Sequence, residues 1–419
     1  MLFEKYGISA DLCRLDEKIM AKCADAFRRC EDVRDEMQLK VLKAFADHRI
    51  GAQHFAATTG YGYGDIGRDA LDAVFAQVVG AEDALCRPQF MSGTHTLTVA
   101  LFGLLRTGDT LLAATGRPYD TLLPVIGLDG EGYGSLMEYG VKYDEVPLIG
   151  GEPDYEGIAK KAKDATVIHI QRSRGYESRR AFSVEDIEKI AKTAKAVNSD
   201  VVIFVDNCYG EFCDTTEPIV HGADLMAGSL IKNGGGGIAP TGGYIAGRAD
   251  LVEKCAHRMT APGTGRELGC TPSGYREFYL GLYFAPSTTC EAKKSSIYAA
   301  ALFEELGYKA VPAYDAPRND IITSLELGNP DDMVLLCEAL QAASPIDSFA
   351  TPVAEEMAGY ADKIIMAAGA FTEGSSIELS CDGPLREPYV AYAQGGLSLT
   401  TSRYAYLRAA QKMLEKRGC

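Results

Sequence analysis

Hydrophobic positions along this chain switch repeatedly between helical spacing and short apolar runs. In the first 50 residues, which are rich in charge, Leu15, Ile19, Cys23 and Phe27 lie on one helical face and predict an N-terminal helical arm. From residue 69 onward, helices and strands alternate. The predicted elements are helices at 71–79, at 95–105 and after a capping residue at Ser183, and strands at 84–86, 110–114, 166–170 and 201–205. This alternation predicts a mostly parallel sheet covered by helices on both faces.

The pattern changes after about residue 285. Mixed helical and strand-like segments follow, with predicted helices at 289–306, 331–343 and 403–416 and strands at 308–311 and 321–327. The sequence therefore predicts an α/β protein with three parts: an N-terminal arm at 1–55, a large α/β domain at 56–288 and a smaller C-terminal α+β domain at 289–419.

Composition narrows the class of protein. A chain of 419 residues that is 47% hydrophobic can bury a large core, and a net charge of −16 argues against a nucleic-acid partner. No apolar run reaches the length of a membrane span and the first residues do not resemble a signal peptide, so we expect a cytoplasmic enzyme. The 12 scattered cysteines predict free thiols, and the six histidines show no metal-ligand spacing.

The main chemical signal is an aspartate followed by a lysine. Asp206 directly follows the predicted strand 201–205. Lys232 lies 26 residues later, just before the glycine run 234–237. Enzymes that use pyridoxal 5′-phosphate (PLP) pair such an aspartate with the pyridine nitrogen and join the lysine to the cofactor as a Schiff base. A partly desolvated lysine is expected to have a lowered pKa. The alternative is a surface lysine in a flexible loop, with Asp206 as a helix cap.

A phosphate site is predicted upstream of this pair. Ser92, Gly93 and Thr94 stand at the start of a predicted helix, where exposed N–H groups attract anions, and Ser229 adds a hydroxyl three residues before Lys232. Ordinary N-capping is the alternative for the helix start.

Three further features remain open at this stage. Tyr119, just past the strand 110–114, is placed to stack on a planar cofactor and act as an acid or base, or to pack at an interface. Arg174, in the charged run after the strand 166–170, either meets cofactor or substrate anions or lies in a solvated loop. The glycines of 62–67 match a dinucleotide-binding pattern, but no buried strand precedes them, so a loop that reaches a neighbouring subunit is better supported.

Several segments resemble the methionine gamma-lyase-related family, whose members are often labelled aluminium resistance proteins or cystathionine beta-lyase-like proteins. The resembling segments are 171–176, 205–212, 221–233, 241–247, 366–370 and 376–384. The resemblance implies a type I PLP-dependent transferase fold and a homotetramer (a dimer of dimers), or at least a dimer, with shared active sites. It makes Lys232 the Schiff-base lysine and Asp206 the partner of the pyridine nitrogen. Its remaining assignments are Gly93, Thr94 and Ser229 to the phosphate, Tyr119 to the cofactor ring, and Tyr61 and Tyr63 to a neighbouring subunit's site.

Two departures from the better-known transsulfuration enzymes concern the site. Ile231 replaces the hydroxyl residue before the lysine, and no Arg-x-Ser pattern occurs near the C-terminus, so Arg386 is the expected carboxylate clamp. The resemblance implies a PLP-dependent carbon–sulfur lyase that acts on a sulfur-containing amino acid by β- or γ-elimination. The alternatives are an aminotransferase or racemase of the same fold, or a non-catalytic PLP-fold protein in stress response or metal tolerance.

Overall fold

The computed structural model describes residues 2–177, 179–356 and 362–418. The chain forms two compact units, Met1–Asp35 with Ala285–Cys419, and Glu36–Phe284. The domain boundaries predicted at residues 55 and 288 remain predictions.

The helices in chain order are α1 (Ala10–Lys22), α2 (Ala24–Asp47), α3 (Ile66–Val79), α4 (Gly93–Leu104), α5 (Leu123–Ile126), α6 (Tyr155–Lys161), α7 (Val184–Lys195), α8 (Ala249–Met259), α9 (Arg276–Glu305), α10 (Pro330–Gln341) and α11 (Leu399–Arg417).

A seven-stranded sheet forms the centre of the unit Glu36–Phe284. Its strands are β1 (Asp83–Arg87), β2 (Thr110–Ala113), β3 (Lys142–Glu145), β4 (Val167–Gln171), β5 (Val202–Asp206), β6 (Leu225–Ser229) and β7 (Gly243–Gly247). Their order is β1-β7-β6-β5-β4-β2-β3, and β7 runs antiparallel to both of its neighbours while the five strands from β6 to β3 are parallel. The predicted mostly parallel α/β sheet is confirmed.

The central strands are short apolar runs because both faces of the sheet are buried. On one face, Phe204 and Leu225 join a core that includes Leu101 of α4 and Val252 of α8. This face sets the position of α4 and therefore of its N-terminus, which lies at the edge where the parallel strands end.

Capping residues explain why two helices begin earlier in the chain than predicted. Ser92 accepts the backbone N–H of His95, so α4 begins at Gly93 rather than at residue 95. Asp65 accepts two N–H groups in the first turn of α3, which begins at Ile66 rather than at residue 71. Residues 52–55 form a 3₁₀ turn and not a strand, so the glycines of 62–67 lack the context of a dinucleotide site.

The other unit contains a five-stranded antiparallel sheet. Its strands are β8 (Lys309–Val311), β9 (Ile322–Glu326), β10 (Ile364–Ala367), β11 (Ser380–Pro384) and β12 (Val390–Gln394), in the order β10-β11-β12-β9-β8. Leu325 of β9, Leu336 of α10 and Tyr406 of α11 share its hydrophobic core. The smaller α+β part of the predicted fold is confirmed.

Two whole-chain expectations bear on the class of protein. Among the described residues, no helix is long and apolar enough to cross a membrane. The eleven cysteines within the described ranges are all free, and ten of them are buried. Burial raises the pKa of thiols such as Cys86 and Cys208, so they behave as small core residues.

Candidate active site

Asp206 lies at the carboxyl end of β5, between two parallel neighbours. In register it stands beside Gln171 of β4 and Ala227 of β6. Because side chains alternate between the two faces of a strand, Gln171, Asp206 and Ser229 share the face that α4 covers. The Asp206 carboxylate is buried, and its Oδ1 accepts the backbone N–H of Cys208 at 3.1 Å. This places a buried acid at the edge where open α/β sheets bind ligands.

Lys232 lies three residues beyond the end of β6, at the start of a short 3₁₀ turn. Its Nζ is 4.0 Å from the centre of the Tyr209 ring. Burial alone lowers the pKa of this amine, but Cys208, Tyr209, Asp206 and Glu211 more than offset that effect and raise it above its ordinary value. The expected lowered pKa is therefore wrong, because the sequence did not reveal the acidic neighbours.

Asn233 joins the segments that carry these two residues. Its Nδ2 donates to the backbone carbonyls of Tyr209 and Glu211, at 3.0 Å each. Tyr209 adopts a left-handed backbone conformation with φ of 71°, which turns the chain sharply after β5. The loops that follow β5 and β6 are thus fastened together, and this brings Lys232 toward Asp206. Sequence analysis missed both Asn233 and Tyr209, although each lies directly beside a predicted site motif.

The N-terminus of α4 contributes an anion site. Ser92 acts as the N-cap, which was the alternative considered for this segment. A methyl group at Gly93 would lie 3.4 Å from Cβ of Ser229 and 3.6 Å from Sγ of Cys208, so the first turn packs against both residues. Ser229 is fully buried, and its Oγ has no hydrogen-bond partner in the described part of the chain. A buried hydroxyl without a partner beside a helix N-terminus fits a phosphate group.

Thr94 and Tyr119 lie along the same edge. Thr94 Oγ1 and Thr121 Oγ1 are 2.9 Å apart, which ties the start of α4 to the loop that carries Tyr119. The backbone N–H of Tyr119 donates to Oε1 of Gln171 at 2.6 Å. The structure thus brings Tyr119 to the strand end that adjoins Asp206.

The arginines after β4 are buried, so the solvated-loop interpretation of this run is wrong. Arg172 donates through Nη1 to Oδ1 of Asn207 at 2.8 Å and to the carbonyl of Gly210 at 2.9 Å, which gives it a structural role. Arg174 is fully buried as well. Its contact with a substrate stays a prediction.

Within the described ranges, the contacts of three other predicted residues involve other side chains. Arg386 belongs to the unit with the five-stranded sheet, where its half-exposed side chain pairs with Asp362 at 3.0 Å. Tyr61 and Tyr63 are exposed on a loop of the other unit, with their ring centres 5.5 Å apart. Their roles also stay predictions.

A pocket of about 440 Å³ opens elsewhere, at the opposite end of α4. Arg106 and Arg258 are among its lining residues, and Arg106 donates through Nη1 to three backbone carbonyls at the end of α4. Cations are favoured at helix C-termini, which accounts for these residues without a ligand.

Comparison with known proteins agrees with this geometry. The model of the family described as methionine gamma-lyase matches residues 12–414. The uncharacterized protein YnbB of Bacillus subtilis (strain 168) is 44% identical over 402 residues, which are 95% of this chain and 96% of that protein. The crystal structure of a carbon–sulfur lyase involved in aluminium resistance from Clostridium novyi NT is 47% identical, covers 98% of each chain and superposes with a TM-score of 0.94.

A more distant structure extends the likeness of fold. The pyridoxal-5′-phosphate dependent protein YhfS from Escherichia coli is 16% identical, with a TM-score of 0.63 over 92% of this chain and 97% of that one. At this identity the likeness concerns the fold alone. Together with the family match across the chain, these comparisons confirm the resemblance of the sequence motifs and the predicted fold. The chain therefore belongs to the methionine gamma-lyase family and has the type I fold of PLP-dependent enzymes.

Proposed function

We propose that this protein is a PLP-dependent carbon–sulfur lyase that acts on a sulfur-containing amino acid by β- or γ-elimination. The observation that carries the proposal is the convergence of Lys232, Asp206, Ser229 and the N-terminus of α4 at one edge of the large sheet. The buried hydroxyl of Ser229, which has no partner among the described residues, fits the cofactor's phosphate, and the buried carboxylate of Asp206 fits its ring nitrogen. When bound, PLP supplies an electron sink for the charge left on the substrate's Cα.

The chain's own residues have distinct tasks in this proposal. Lys232 would hold the cofactor covalently, and its amine would take the proton from the substrate's Cα. Asp206 would pair with the protonated ring nitrogen. Tyr119 would stack on the ring, and its hydroxyl would supply the second acid or base that γ-elimination requires at Cβ.

The test is a product assay with the purified protein and PLP. Cysteine, cystathionine, methionine and homocysteine are each supplied, and 2-oxo acid and thiol are measured. Equal amounts of oxo acid and thiol support the lyase, and pyruvate or 2-oxobutyrate identifies β- or γ-elimination. Oxo acid without thiol, formed when a second 2-oxo acid is supplied as amino acceptor, supports an aminotransferase. Altered optical rotation alone supports a racemase, and no turnover supports a non-catalytic protein.

A matched pair of lysine variants tests the site. Lys232→Ala should abolish the visible absorbance of bound PLP and all turnover. Lys254→Ala, which changes an exposed lysine of α8, should leave both unchanged. Unaltered absorbance in Lys232→Ala would refute the lysine assignment.

We also propose a homotetramer, a dimer of dimers, in which the loop of Tyr61 and Tyr63 reaches the site of a neighbouring subunit. The exposure of two adjacent aromatic side chains supports this, since aromatic residues are enriched at interfaces. Light scattering measures the assembly. Mixing Lys232→Ala subunits with Tyr61→Ser/Tyr63→Ser subunits should restore activity if sites are shared, whereas no recovery in confirmed mixed oligomers would contradict sharing.

Arg386 and Arg174 are the proposed ligands of the substrate carboxylate. Arg386→Lys and Arg174→Lys keep the charge but lose the planar bidentate group. The residue that binds the carboxylate should show a raised KM with little change in cofactor affinity. A variant with an unchanged KM excludes that arginine.

A further inference from the structure

We propose that Glu211 is a positioning residue whose carboxyl group sets the charge of the Lys232 amine. This inference rests on the proposed function, in which Lys232 is the lysine that binds the cofactor. It assigns a task to a buried acid that the sequence motifs and the proposed reaction leave unused.

The Glu211 side chain is enclosed behind the strand that leads to Lys232. Its Oε1 accepts the hydroxyl of Tyr244 at 2.8 Å, and its Oε2 has no partner within the described ranges. A methyl group at Gly228 of β6 would lie 2.4 Å from Oε1 of Glu211. The absence of a side chain at Gly228 therefore makes room for the carboxyl group against the backbone of β6.

The backbone of Glu211 is fastened to the lysine segment as well. Asn233, the residue after Lys232, donates to the carbonyl of Glu211 at 3.0 Å. The distance between the lysine segment and Glu211 is thus fixed by a hydrogen bond and by packing on β6. A carboxyl group held in this way acts on the amine through space in a medium of low polarity.

Lys232 is the main cation that acts on the carboxyl group of Glu211. Glu217, the other buried acid of this network, lies 3.6 Å from the guanidinium of Arg172 and accepts N–H groups from Asn207 and Phe212. Glu211 forms no ion pair in the part of the chain that the structure describes. The titratable or charged groups that act on Glu211 and Lys232 are Asp206, Cys208, Tyr209, Glu217 and Tyr244.

Burial raises the pKa of Glu211 to about 8, despite the opposing effects of Tyr244 and Lys232. Each of the two groups favours the charged form of the other. While Lys232 is uncharged, Glu211 retains its proton, and when the amine becomes an ammonium the carboxylate form is favoured. The pair limits the net charge buried behind the site.

The experiment measures capture of PLP by the apo-protein as a function of pH, followed by visible absorbance and located by borohydride reduction and peptide mass. Only the neutral amine reacts, and Glu211→Gln removes the negative charge while it preserves the shape. Its capture profile should move to lower pH, with a rate at pH 8 at least about threefold above that of the unsubstituted protein. Tyr244→Phe, which raises the pKa of Glu211, should shift the profile in the same direction by less.

Glu217→Gln is the control, because it alters a buried acid of the same network that is paired with Arg172. It should change the melting temperature. Because the charge of Glu217 raises the pKa of Glu211, any movement of the capture profile should be toward higher pH, opposite to that of Glu211→Gln. Profiles of Glu211→Gln and Tyr244→Phe that coincide with the unsubstituted protein would overturn the inference, and Tyr244→Phe decides if Glu211→Gln does not fold. Capture no faster than in Lys232→Ala would instead overturn the proposed function, so the two failures are distinguishable.

Discussion

Oε1 of Gln171 accepts a hydrogen bond from the backbone N–H of Tyr119 at 2.6 Å, while its Nε2 donates to the carbonyl of Ser173 at 3.2 Å. Gln171 is the last residue of β4 and stands beside Asp206 in register. One amide therefore fixes the backbone of the proposed ring-stacking tyrosine relative to the strand end that carries the buried acid. The position of Tyr119 depends on this side chain as well as on its own loop.

Replacement of this amide should loosen Tyr119. In Gln171→Leu both hydrogen bonds are lost, at a cost of about 1 kcal/mol each, so we expect PLP affinity to fall by about fivefold or more. Titration of the apo-protein with PLP measures this. Gln341→Leu, which removes a comparable amide that bonds to Asp347 and Ala368 in the other unit, should destabilise the fold without changing affinity. Equal affinities of the Gln171 variant and the unsubstituted protein would contradict the anchoring role.

Ser229→Ala should separate binding from stability. The buried hydroxyl has no partner to lose among the described residues, so the melting temperature of the apo-protein should stay the same or rise slightly. PLP affinity should fall by about tenfold, since a hydrogen bond to a charged phosphate contributes about 1.5–3 kcal/mol. Ser402→Ala, which removes a buried hydroxyl that donates to the carbonyl of Ser398, should show the reverse pattern. A destabilised Ser229→Ala apo-protein with unchanged affinity would be evidence against the phosphate site.

A methyl group at Gly228 should be costly. It would lie 2.4 Å from Oε1 of Glu211 and 2.6 Å from the Tyr244 hydroxyl, so Gly228→Ala should lower the free energy of unfolding by about 1–3 kcal/mol. Gly234→Ala is the matched control, because its nearest contact would be an ordinary 3.5 Å. Urea denaturation compares the two. Similar losses in both variants would mean that the carboxyl group is not tightly held against β6.

Local patterns in the sequence were enough to predict the strand that leads to Asp206, the helix after Ser183 and the existence, though not the first residue, of the helix after Ser92. Each depends on periodicity or on a capping residue within a few positions. The antiparallel strand β7 was not predicted. Its pairing with β6, which brings Tyr244 to Gly228, joins residues distant in sequence.

Contacts between residues distant in sequence also explain why the predictions for the pKa of Lys232 and for the arginines after β4 were wrong. The burial of Arg172 is made tolerable by Asn207 and Glu217, which follow the next strand. The pKa of Lys232 is raised by residues that reach it from the loop after β5. Both effects depend on which loops meet at the sheet edge, and a charged run alone indicates only that arginines occur there.

His169 makes the stability of the fold sensitive to pH. It lies on β4 two residues before Gln171, and its Nε2 has no partner in the described ranges. Burial lowers its pKa to about 4, although the charge of Asp206 opposes this. Because an unfolded histidine has a pKa near 6.5, the unfolded state binds the proton first as the pH falls. The stability that the neutral imidazole contributes is complete above about pH 6.5 and is lost toward pH 4.

From pH 7.5 to 5 this linkage amounts to about 2 kcal/mol. Glu211 acts in the opposite direction over this whole range, since a carboxyl group with a pKa raised from 4.5 to about 8 favours the folded state as the pH falls. The measurement is therefore the difference in unfolding free energy between the unsubstituted protein and His169→Gln, in which the other groups cancel. The unsubstituted protein should lose about 2 kcal/mol more than the variant over this range. Parallel stability curves would show that His169 is protonated in the folded protein or reaches solvent.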